Sequence, residues 1–361
     1  MILKKNIMVV GGYGQVGQMI CKHLGELYPG TVIAAGRSFD RAEQFCLTME
    51  GKVKPYQINI KEVVDPDIWK DIKLVVMCLD QADPVFARTC FNNGVHYVDI
   101  SADDSFLSQL ELLHEEAAAG QATAVLSIGL APGLTNLLAA HAKHLMDRTD
   151  AIDISIMLGL GDQHGKAAIE WTVDNLGTDF TVMQAGSKVV VSSFTDGKIT
   201  EFGSAMGHRK SYRFNFADQH ALSRTLGVPL VSTRLCFDSA VVTGLLAWLR
   251  AGGVFRLLKL PRIRHAAILL FGKLRFGKEM FAVKIDAWGK RGQDDVLIEC
   301  LIQGIKEASI TAKVAAAVAD KVYRSELPHG VYHIDQLFEW ECLLPSLPPE
   351  VKVDIRINDY S

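Results

Sequence analysis

The sequence predicts an α/β protein: a Rossmann-type, doubly wound parallel sheet followed by a second α+β domain. Three observations predict this architecture. A glycine-rich turn follows a short apolar strand near the N-terminus, apolar strands and amphipathic helices alternate up to residue 128, and strand-like segments dominate from residue 152 onward. At 361 residues, the chain is long enough for roughly two or three such domains.

The glycine-rich turn has the spacing of a dinucleotide-binding fingerprint. It follows the apolar residues 7–10 and carries Gly12, Gly14 and Gly17. The first glycine permits the tight turn, the second lets a pyrophosphate approach the backbone, and the third lets the next helix pack close to the strand. The start of that helix offers unpaired N–H groups to the phosphates. The predicted cofactor contacts of this turn are Gly12, Tyr13, Gly14, Gln15, Val16 and Gly17.

Six predicted strands with intervening helices complete the first domain. The run at 74–79 is apolar throughout, as expected for a central strand that is covered by helices on both faces. We therefore predict an NADP-binding Rossmann domain over residues 1–130. Its strands are predicted at 7–10, 32–35, 53–58, 74–79, 95–100 and 123–128, and its helices at 15–28, 40–49, 83–92 and 104–119.

The end of the second predicted strand favours NADP(H). A site specific for NAD usually carries Asp or Glu about 20 residues beyond the glycines, where it binds the ribose 2′-OH. Here Gly36, Arg37 and Ser38 occupy that position, and Arg37 with the Ser38 hydroxyl can hold a 2′-phosphate. The alternatives are NAD(H) as the cofactor and a solvated loop role for Arg37.

From residue 131 the pattern is that of an α+β domain. A turn-rich junction at 129–136 leads into an apolar helix at 137–146, and short polar turns at 196–197 and 289–292 have the chemistry of antiparallel hairpins. We predict a substrate and dimerisation domain over 131–308, and a C-terminal segment over 309–361 whose helix at 311–323 returns to the first domain. The strands of the second domain are predicted at 152–158, 188–194, 212–216, 231–237, 281–288 and 296–302.

Five segments together resemble the saccharopine dehydrogenase/reductase-like family. They are residues 11–17, 35–38, 94–99 and 129–136, and the alanine-rich helix that starts at Thr311. The resemblance covers nearly the whole chain. It implies an NADP-type Rossmann domain, an α+β substrate domain inserted before the final helix, and oxidoreduction at a carbon that bears an amino or imino group.

One position of the junction separates branches of that family. Saccharopine reductase members commonly have an acid before the Pro-Gly of the junction, where this chain has Ala131. The Ala-Pro-Gly-x-x-Asn pattern is more similar to lysine 6-dehydrogenase-like members. The resemblance therefore implies a single amino acid or a related amine as the substrate.

Polar residues follow the fourth, fifth and sixth predicted strands, and the carboxyl ends of parallel strands meet at one edge of a sheet. Alternation places Tyr97 and Asp99 on the same face of the fifth strand. We predict Asp99 as an acid–base group, with Tyr97 and Asn136 as substrate contacts. The alternatives are a core position for Tyr97 and a helix-capping role for Asp99. The predicted cofactor contacts after the fourth strand are Cys78, Leu79 and Asp80.

A second group of chemically able residues begins at His164. A helix from about Lys166 places Lys166, Glu170 and Asp174 on one face, with His164 at its mouth. We predict Lys166 and His164 as proton donors or acceptors, and Glu170 and Trp171 as substrate contacts. The alternative is a surface helix with an ordinary Lys/Glu pair.

Composition excludes several other classes. The formal net charge of −3 gives no basic field for nucleic acid, and no metal site is expected, because His141 and His144 lack a third ligand. The seven cysteines are scattered, which is typical of free thiols in a reducing compartment, and residues 1–5 lead directly into a strand. We therefore expect a cytoplasmic protein.

Residues 250–278 form a basic apolar segment. They include eight Lys or Arg and no acid, interleaved with Leu, Ile and Phe. Such a segment can contact an anionic membrane surface or cover the cleft as a lid. The alternative is an apolar face that is buried against a second subunit in a homodimer.

The sequence thus predicts an NADP(H)-dependent oxidoreductase. It would transfer a hydride at an amine or imine carbon of an amino acid or a related small molecule. Two alternatives stay open: a cofactor-binding regulatory or scaffold protein without turnover, and a reductase of a lipid-linked enone.

Overall fold

The computed structural model of the protein describes residues 4–162, 165–273 and 277–360. The chain forms two compact units. Unit 1 comprises Met1–Leu134 and Ala308–Leu347, and unit 2 comprises Thr135–Glu307 and Pro348–Ser361. Within the described ranges, no helix is long and apolar enough to cross a bilayer.

The first segment of unit 1 alternates strands and helices, as the sequence predicts. Its strands are short and mostly buried, completely so at 32–36 and 123–126, whereas the edge strand at 53–57 is largely exposed or half-buried. Its elements are β1 (Asn6–Val10), α1 (Gln15–Leu27), β2 (Val32–Gly36), α2 (Phe39–Leu47), β3 (Val53–Gln57), β4 (Ile72–Met77), α3 (Val85–Asn92), β5 (His96–Asp99), α4 (Asp104–Glu111), α5 (His114–Ala119) and β6 (Thr123–Leu126).

Unit 2 combines a long-stranded sheet with helices. Several of its strands have one buried and one more exposed face, which is typical of antiparallel sheets. Its elements up to residue 305 are α6 (Thr135–His144), β7 (Arg148–Leu158), α7 (Lys166–Asn175), β8 (Asp179–Gln184), β9 (Ser187–Ser192), β10 (Lys198–Glu201), β11 (His208–Arg213), α8 (Ala217–Thr225), β12 (Leu230–Phe237), α9 (Ala240–Ala251), α10 (Pro261–Lys273), β13 (Met280–Arg291) and β14 (Asp294–Ile305).

The C-terminal residues contribute to both units. Helix α11 spans Glu307–Arg324, and the elements after it are β15 (Gly330–His333), α12 (Ile334–Leu337), α13 (Trp340–Leu343) and β16 (Lys352–Tyr360). The helix returns to unit 1, as predicted, and β15 joins the sheet of that unit. The final strand β16 instead pairs with β14 in unit 2. The sequence predicts that all of 309–361 returns to the first domain, whereas residues 348–361 belong to unit 2.

The sheet of unit 1 is seven-stranded and parallel, in the order β15-β6-β5-β4-β1-β2-β3. The strand order reverses between β1 and β4, which is the topological switch point where such sheets bind ligands. The sequence predicted six of these strands. It did not predict β15, because the sequence of that strand, Gly-Val-Tyr-His, is not an apolar run.

The sheet of unit 2 is nine-stranded and mostly antiparallel. Strands β13 and β14 form its long hairpin, whose register runs from Met280 opposite Ile305 to Arg291 opposite Asp294. The sequence predicted this hairpin, but not the full length of its strands: residues 289–291 of the predicted turn belong to β13, and the turn lies at 292–293. The α+β architecture of the unit is therefore confirmed.

Candidate active site

The glycine-rich turn connects β1 to α1 at the switch point. The Gly11 N–H donates to the Ala35 carbonyl over 2.8 Å, and Gly11 adopts φ +82°, which favours glycine. A Cβ on Gly12 would lie 2.8 Å from the Val9 carbonyl oxygen, and a Cβ on Gly17 would overlap the Gly11 carbonyl. No acid lies in the first turn of α1. The turn therefore leaves the N-terminus of α1 open to a phosphate.

Tyr13 lies against the end of β2. Its ring packs on Gly36, its hydroxyl accepts from the Ser38 N–H over 3.0 Å, and the Arg41 guanidinium lies 4.8 Å above the ring. Arg37 and Arg41 are both exposed. Sequence reasoning missed Arg41, although its position four residues after Arg37, at the start of α2, is a usable signal. Two cations thus border the place where the 2′-phosphate of NADP is expected.

The residues after β4 cover the glycine turn. The Cys78 N–H donates to the Val10 carbonyl over 2.9 Å, and burial raises the pKa of the Cys78 thiol. The Leu79 side chain lies over Gly11, since a Cβ on that glycine would be 2.9 Å from Leu79 Cδ2. Asp80 is exposed at the same edge. These predicted cofactor contacts thus lie beside the fingerprint.

A polar network joins the ends of β4 and β5. The Tyr97 hydroxyl donates to Asp99 Oδ2 over 2.9 Å, and the Ser101 N–H donates to Asp99 Oδ1 over 2.7 Å. Gln81 Nε2 lies 2.8 Å from the Tyr97 hydroxyl and 3.3 Å from Asp99 Oδ2. The common face predicted for Tyr97 and Asp99 is therefore observed. The cap of the following helix is Asp103.

Burial sets the electrostatics of this network. It raises the pKa of Asp99 to about 7, because the carboxylate is desolvated. The hydrogen bonds from Ser101 and Tyr97 lower that pKa, and the charge of Asp80 raises it. A carboxyl group that titrates near neutrality can gain or lose a proton at physiological pH.

Gln81 completes the network; the sequence places it near the cofactor with the three residues before it, but assigns it no role. Its side-chain Oε1 is buried and has no hydrogen-bond partner among the residues that the structure describes. Such orphaned acceptors are rare and indicate a missing donor. The sequence offered no signal beyond its position one residue after Asp80, because the contact with Tyr97 arises only when β4 and β5 pair.

A second buried network lies at the ends of β6 and β15. Ser127 Oγ and His333 Nδ1 are 2.8 Å apart, and His333 Nε2 is 2.8 Å from Glu111 Oε1. Ser127 and His333 are buried, and Ser127 adopts φ +59°. Ser127 begins the turn in which the Leu134 N–H donates to the Gly129 carbonyl over 2.9 Å. The network therefore fixes the start of the Pro-Gly junction.

The remaining predicted residues lie in unit 2. Lys166 is 84% exposed and forms an i,i+4 ion pair with Glu170 at 3.6 Å, which is also the geometry of an ordinary surface pair. Trp171 packs against aromatic rings of unit 2, including Phe214 at 5.5 Å. Asn136 is fully buried in α6. His164 lies outside the described residues. No cluster of three or more metal-ligating side chains occurs in the described ranges.

The fold and the fingerprint define a Rossmann-type dinucleotide-binding protein. A family model described as "Saccharopine dehydrogenase NADP binding domain" matches residues 7–125. This match confirms the saccharopine dehydrogenase-like resemblance and the NADP(H) prediction for the first domain. The residues fit this cofactor, because the turn at 11–17 accepts a pyrophosphate and the end of β2 carries Arg37 without a carboxylate.

Solved structures with this fold include the apo saccharopine dehydrogenase (L-Glu forming) of Saccharomyces cerevisiae. The two chains are 12% identical and superpose with a TM-score of 0.66, over 98% of this chain and 100% of the yeast chain. An engineered D-amino acid dehydrogenase bound to NADP+ is 12% identical with a TM-score of 0.48, over 95% of this chain and 97% of the other. The DAP dehydrogenase of C. glutamicum, in complex with DAP, is 11% identical with a TM-score of 0.46, over 95% and 97%.

Proposed function

We propose that the protein is an NADPH-dependent oxidoreductase that transfers a hydride at the carbon of an amine or imine. The substrate class is an amino acid or a related small molecule. The observation that carries the proposal is the network of Gln81, Tyr97 and Asp99 at the edge of an NADP-binding sheet. The whole-length fold shared with a saccharopine dehydrogenase supports a C–N bond as the reacting group.

The chain's own residues supply the binding. The N–H groups at the start of α1 hold the pyrophosphate, and Arg37, Ser38 and Arg41 hold the 2′-phosphate. NADPH, when bound, supplies the hydride. Leu79 lies over Gly11 and shields this part of the turn from water.

The network manages the nitrogen and its proton. Asp99 accepts from Tyr97 and Gln81, which fixes the Gln81 amide with Oε1 unpaired. That oxygen accepts an N–H of the reacting amine or imine. Asp99, whose pKa is raised to about 7 by burial, takes up or releases a proton near neutral pH and also positions Gln81.

The test is a screen of NADPH consumption against amines paired with 2-oxo acids, and of NADP+ reduction with lysine and other diamino acids. We expect turnover in at least one panel, and a loss on the order of 10²-fold in Asp99→Asn. The matched control is Asp71→Asn, an exposed carboxyl of the same unit. Tight NADPH binding without turnover in either panel would favour a regulatory protein.

Lys166 and Glu170 stay in the proposal as proton-transfer and substrate-binding residues. Replacing both with Ala is expected to abolish hydride transfer and leave the dissociation constant of NADPH unchanged, because both residues lie in unit 2 and the fingerprint lies in unit 1. Unchanged turnover would reduce the pair to a surface ion pair.

A further inference from the structure

Unit 2 carries an exposed surface on α9, α10 and the residues 252–260 between them, which we call the basic apolar surface. Nine large apolar side chains of this stretch are exposed. Monomeric soluble proteins rarely expose so many in one contiguous segment without a partner. These residues are Val241, Leu245, Trp248, Val254, Leu257, Leu260, Ile263, Leu269 and Leu270.

Helix α9 shows the division between the two faces most clearly. Thr243 and Leu246 are buried, while Val241, Leu245 and Trp248 lie outward at 80%, 50% and 68% exposure. The outward residues recur at helical spacing and form one stripe. Tryptophan in such a position is typical of the boundary between water and lipid.

The segment is firmly attached to the rest of unit 2. Arg250 donates to the Gly177 carbonyl over 2.8 Å and pairs with Asp179, and Arg264 forms a bidentate pair with Asp174 at 2.5 and 2.7 Å. Phe271 packs on Phe237 with ring centroids 5.9 Å apart. These contacts hold α9 and α10 against the rest of unit 2, while their outward apolar side chains stay exposed.

The remaining charges of this surface are all positive. Arg256, Lys259, Arg262 and Lys273 are exposed, and none forms an ion pair with a carboxylate in the described parts of the chain. No Asp or Glu occurs between residues 239 and 278, although the whole chain has a net charge of −3. The positive charge is thus concentrated beside the exposed apolar stripe.

This combination decides between two occupants. In a symmetric dimer the same patch meets its own copy, so the cations of one chain would face those of the other. An anionic bilayer offers an apolar layer for the stripe and negative headgroups for the cations. We propose that the basic apolar surface docks the protein peripherally on a membrane that contains anionic lipids.

The experiment is cosedimentation of the full-length protein with lipid vesicles. Vesicles of phosphatidylcholine with about one third phosphatidylglycerol are compared with phosphatidylcholine alone, at low and high salt. We expect binding to the anionic vesicles that weakens with salt, and little binding to the neutral ones. The absence of binding to anionic vesicles at low salt would overturn the proposal.

Two variants test the surface itself. Trp248→Glu is expected to abolish sedimentation, while Val190→Glu, at 70% exposure on β9, serves as the matched control and should bind as wild type. The pair Lys259→Gln and Arg262→Gln should weaken binding about 30-fold, at about 1 kcal/mol for each charge. Both positions are exposed, so this variant does not threaten folding. Its control is Lys54→Gln with Lys188→Gln.

Analytical ultracentrifugation tests the alternative occupant, a second copy of this chain. A dimer that Trp248→Glu dissociates, in a protein that does not sediment with vesicles, would assign the surface to a second copy and overturn the proposal. Equal vesicle binding by Trp248→Glu and wild type would also overturn it. NADPH binding by each variant shows that unit 1 is intact, so these outcomes do not depend on whether the protein turns over a substrate.

Discussion

The Tyr97 hydroxyl donates a hydrogen bond to Asp99 Oδ2 over 2.9 Å, and both side chains are fully buried. This bond stabilises the carboxylate and so lowers the pKa of Asp99 against the effect of burial. We predict that Tyr97→Phe raises the pKa of Asp99 by up to about one unit. A carbon-13 NMR titration of the aspartate carboxyls measures it, with Asp99→Asn for assignment. An unchanged pKa in Tyr97→Phe would contradict the hydrogen bond, and Tyr332→Phe is the control.

Asp99 also predicts a pH dependence of stability. Its folded pKa of about 7 lies above the value of about 3.9 that is usual for an unfolded chain. A pKa that is higher in the folded chain than in the unfolded one stabilises the folded state fully at pH values below the unfolded pKa. This stabilisation is lost as the pH rises through 7. We expect the free energy of unfolding of the wild type, relative to Asp99→Asn, to rise by about 2–4 kcal/mol from pH 8 to pH 4. Urea unfolding measures this free energy, and a difference between the two proteins that is the same at every pH would refute the prediction.

Arg37 predicts the choice of cofactor. Replacing Arg37 with Asp removes a cation beside the 2′-phosphate and adds a repelling charge. The dissociation constant of NADPH should rise on the order of 10²-fold, while that of NADH changes by less than about 3-fold. Fluorescence titration with the two cofactors measures both constants, and Lys54→Asp controls for net charge. Equal effects on NADPH and NADH would show that Arg37 does not contact the 2′-phosphate.

His333 predicts a positioning role for the C-terminal segment. His333→Ala removes the partner of the buried Ser127 hydroxyl, which costs about 1–3 kcal/mol of stability. We also expect weaker NADPH binding, because the junction that starts at Ser127 lies at the cofactor edge of the sheet, and partial rescue in His333→Gln. The exposed His329→Ala is the control. Lost stability with an unchanged dissociation constant of NADPH would reduce His333 to a structural residue.

Local sequence patterns predict much of this molecule. The fingerprint glycines can be assigned from spacing alone. A Cβ at each of them would approach backbone atoms within the same βα unit or the next strand, so the requirement for glycine is local. The central strands follow from apolar runs, and Arg37 follows from its distance to the glycines. The face shared by Tyr97 and Asp99 needs only the two-residue period of a strand.

Contacts between distant residues are a different case. Gln81 meets Tyr97 only after β4 and β5 pair, and His333 meets Ser127 only after β15 adds to the sheet. Strands β15 and β16 have no strong apolar run. They are stabilised by pairing with the edge of an existing sheet, which the local sequence does not show. The exposure of Trp248 could not be predicted from the sequence either, because an apolar helix has the same sequence whether its outer face is covered or exposed.

The most direct test of the central claim follows the hydride itself. NADPH that carries deuterium at the reactive position of the nicotinamide is incubated with the protein and the substrates found in the amine and 2-oxo acid screen. We predict a product with one deuteron on the carbon that bears the nitrogen, located by mass spectrometry, and its loss in Asp99→Asn. NADPH oxidation that leaves no deuterium on that carbon would contradict hydride transfer at a C–N bond.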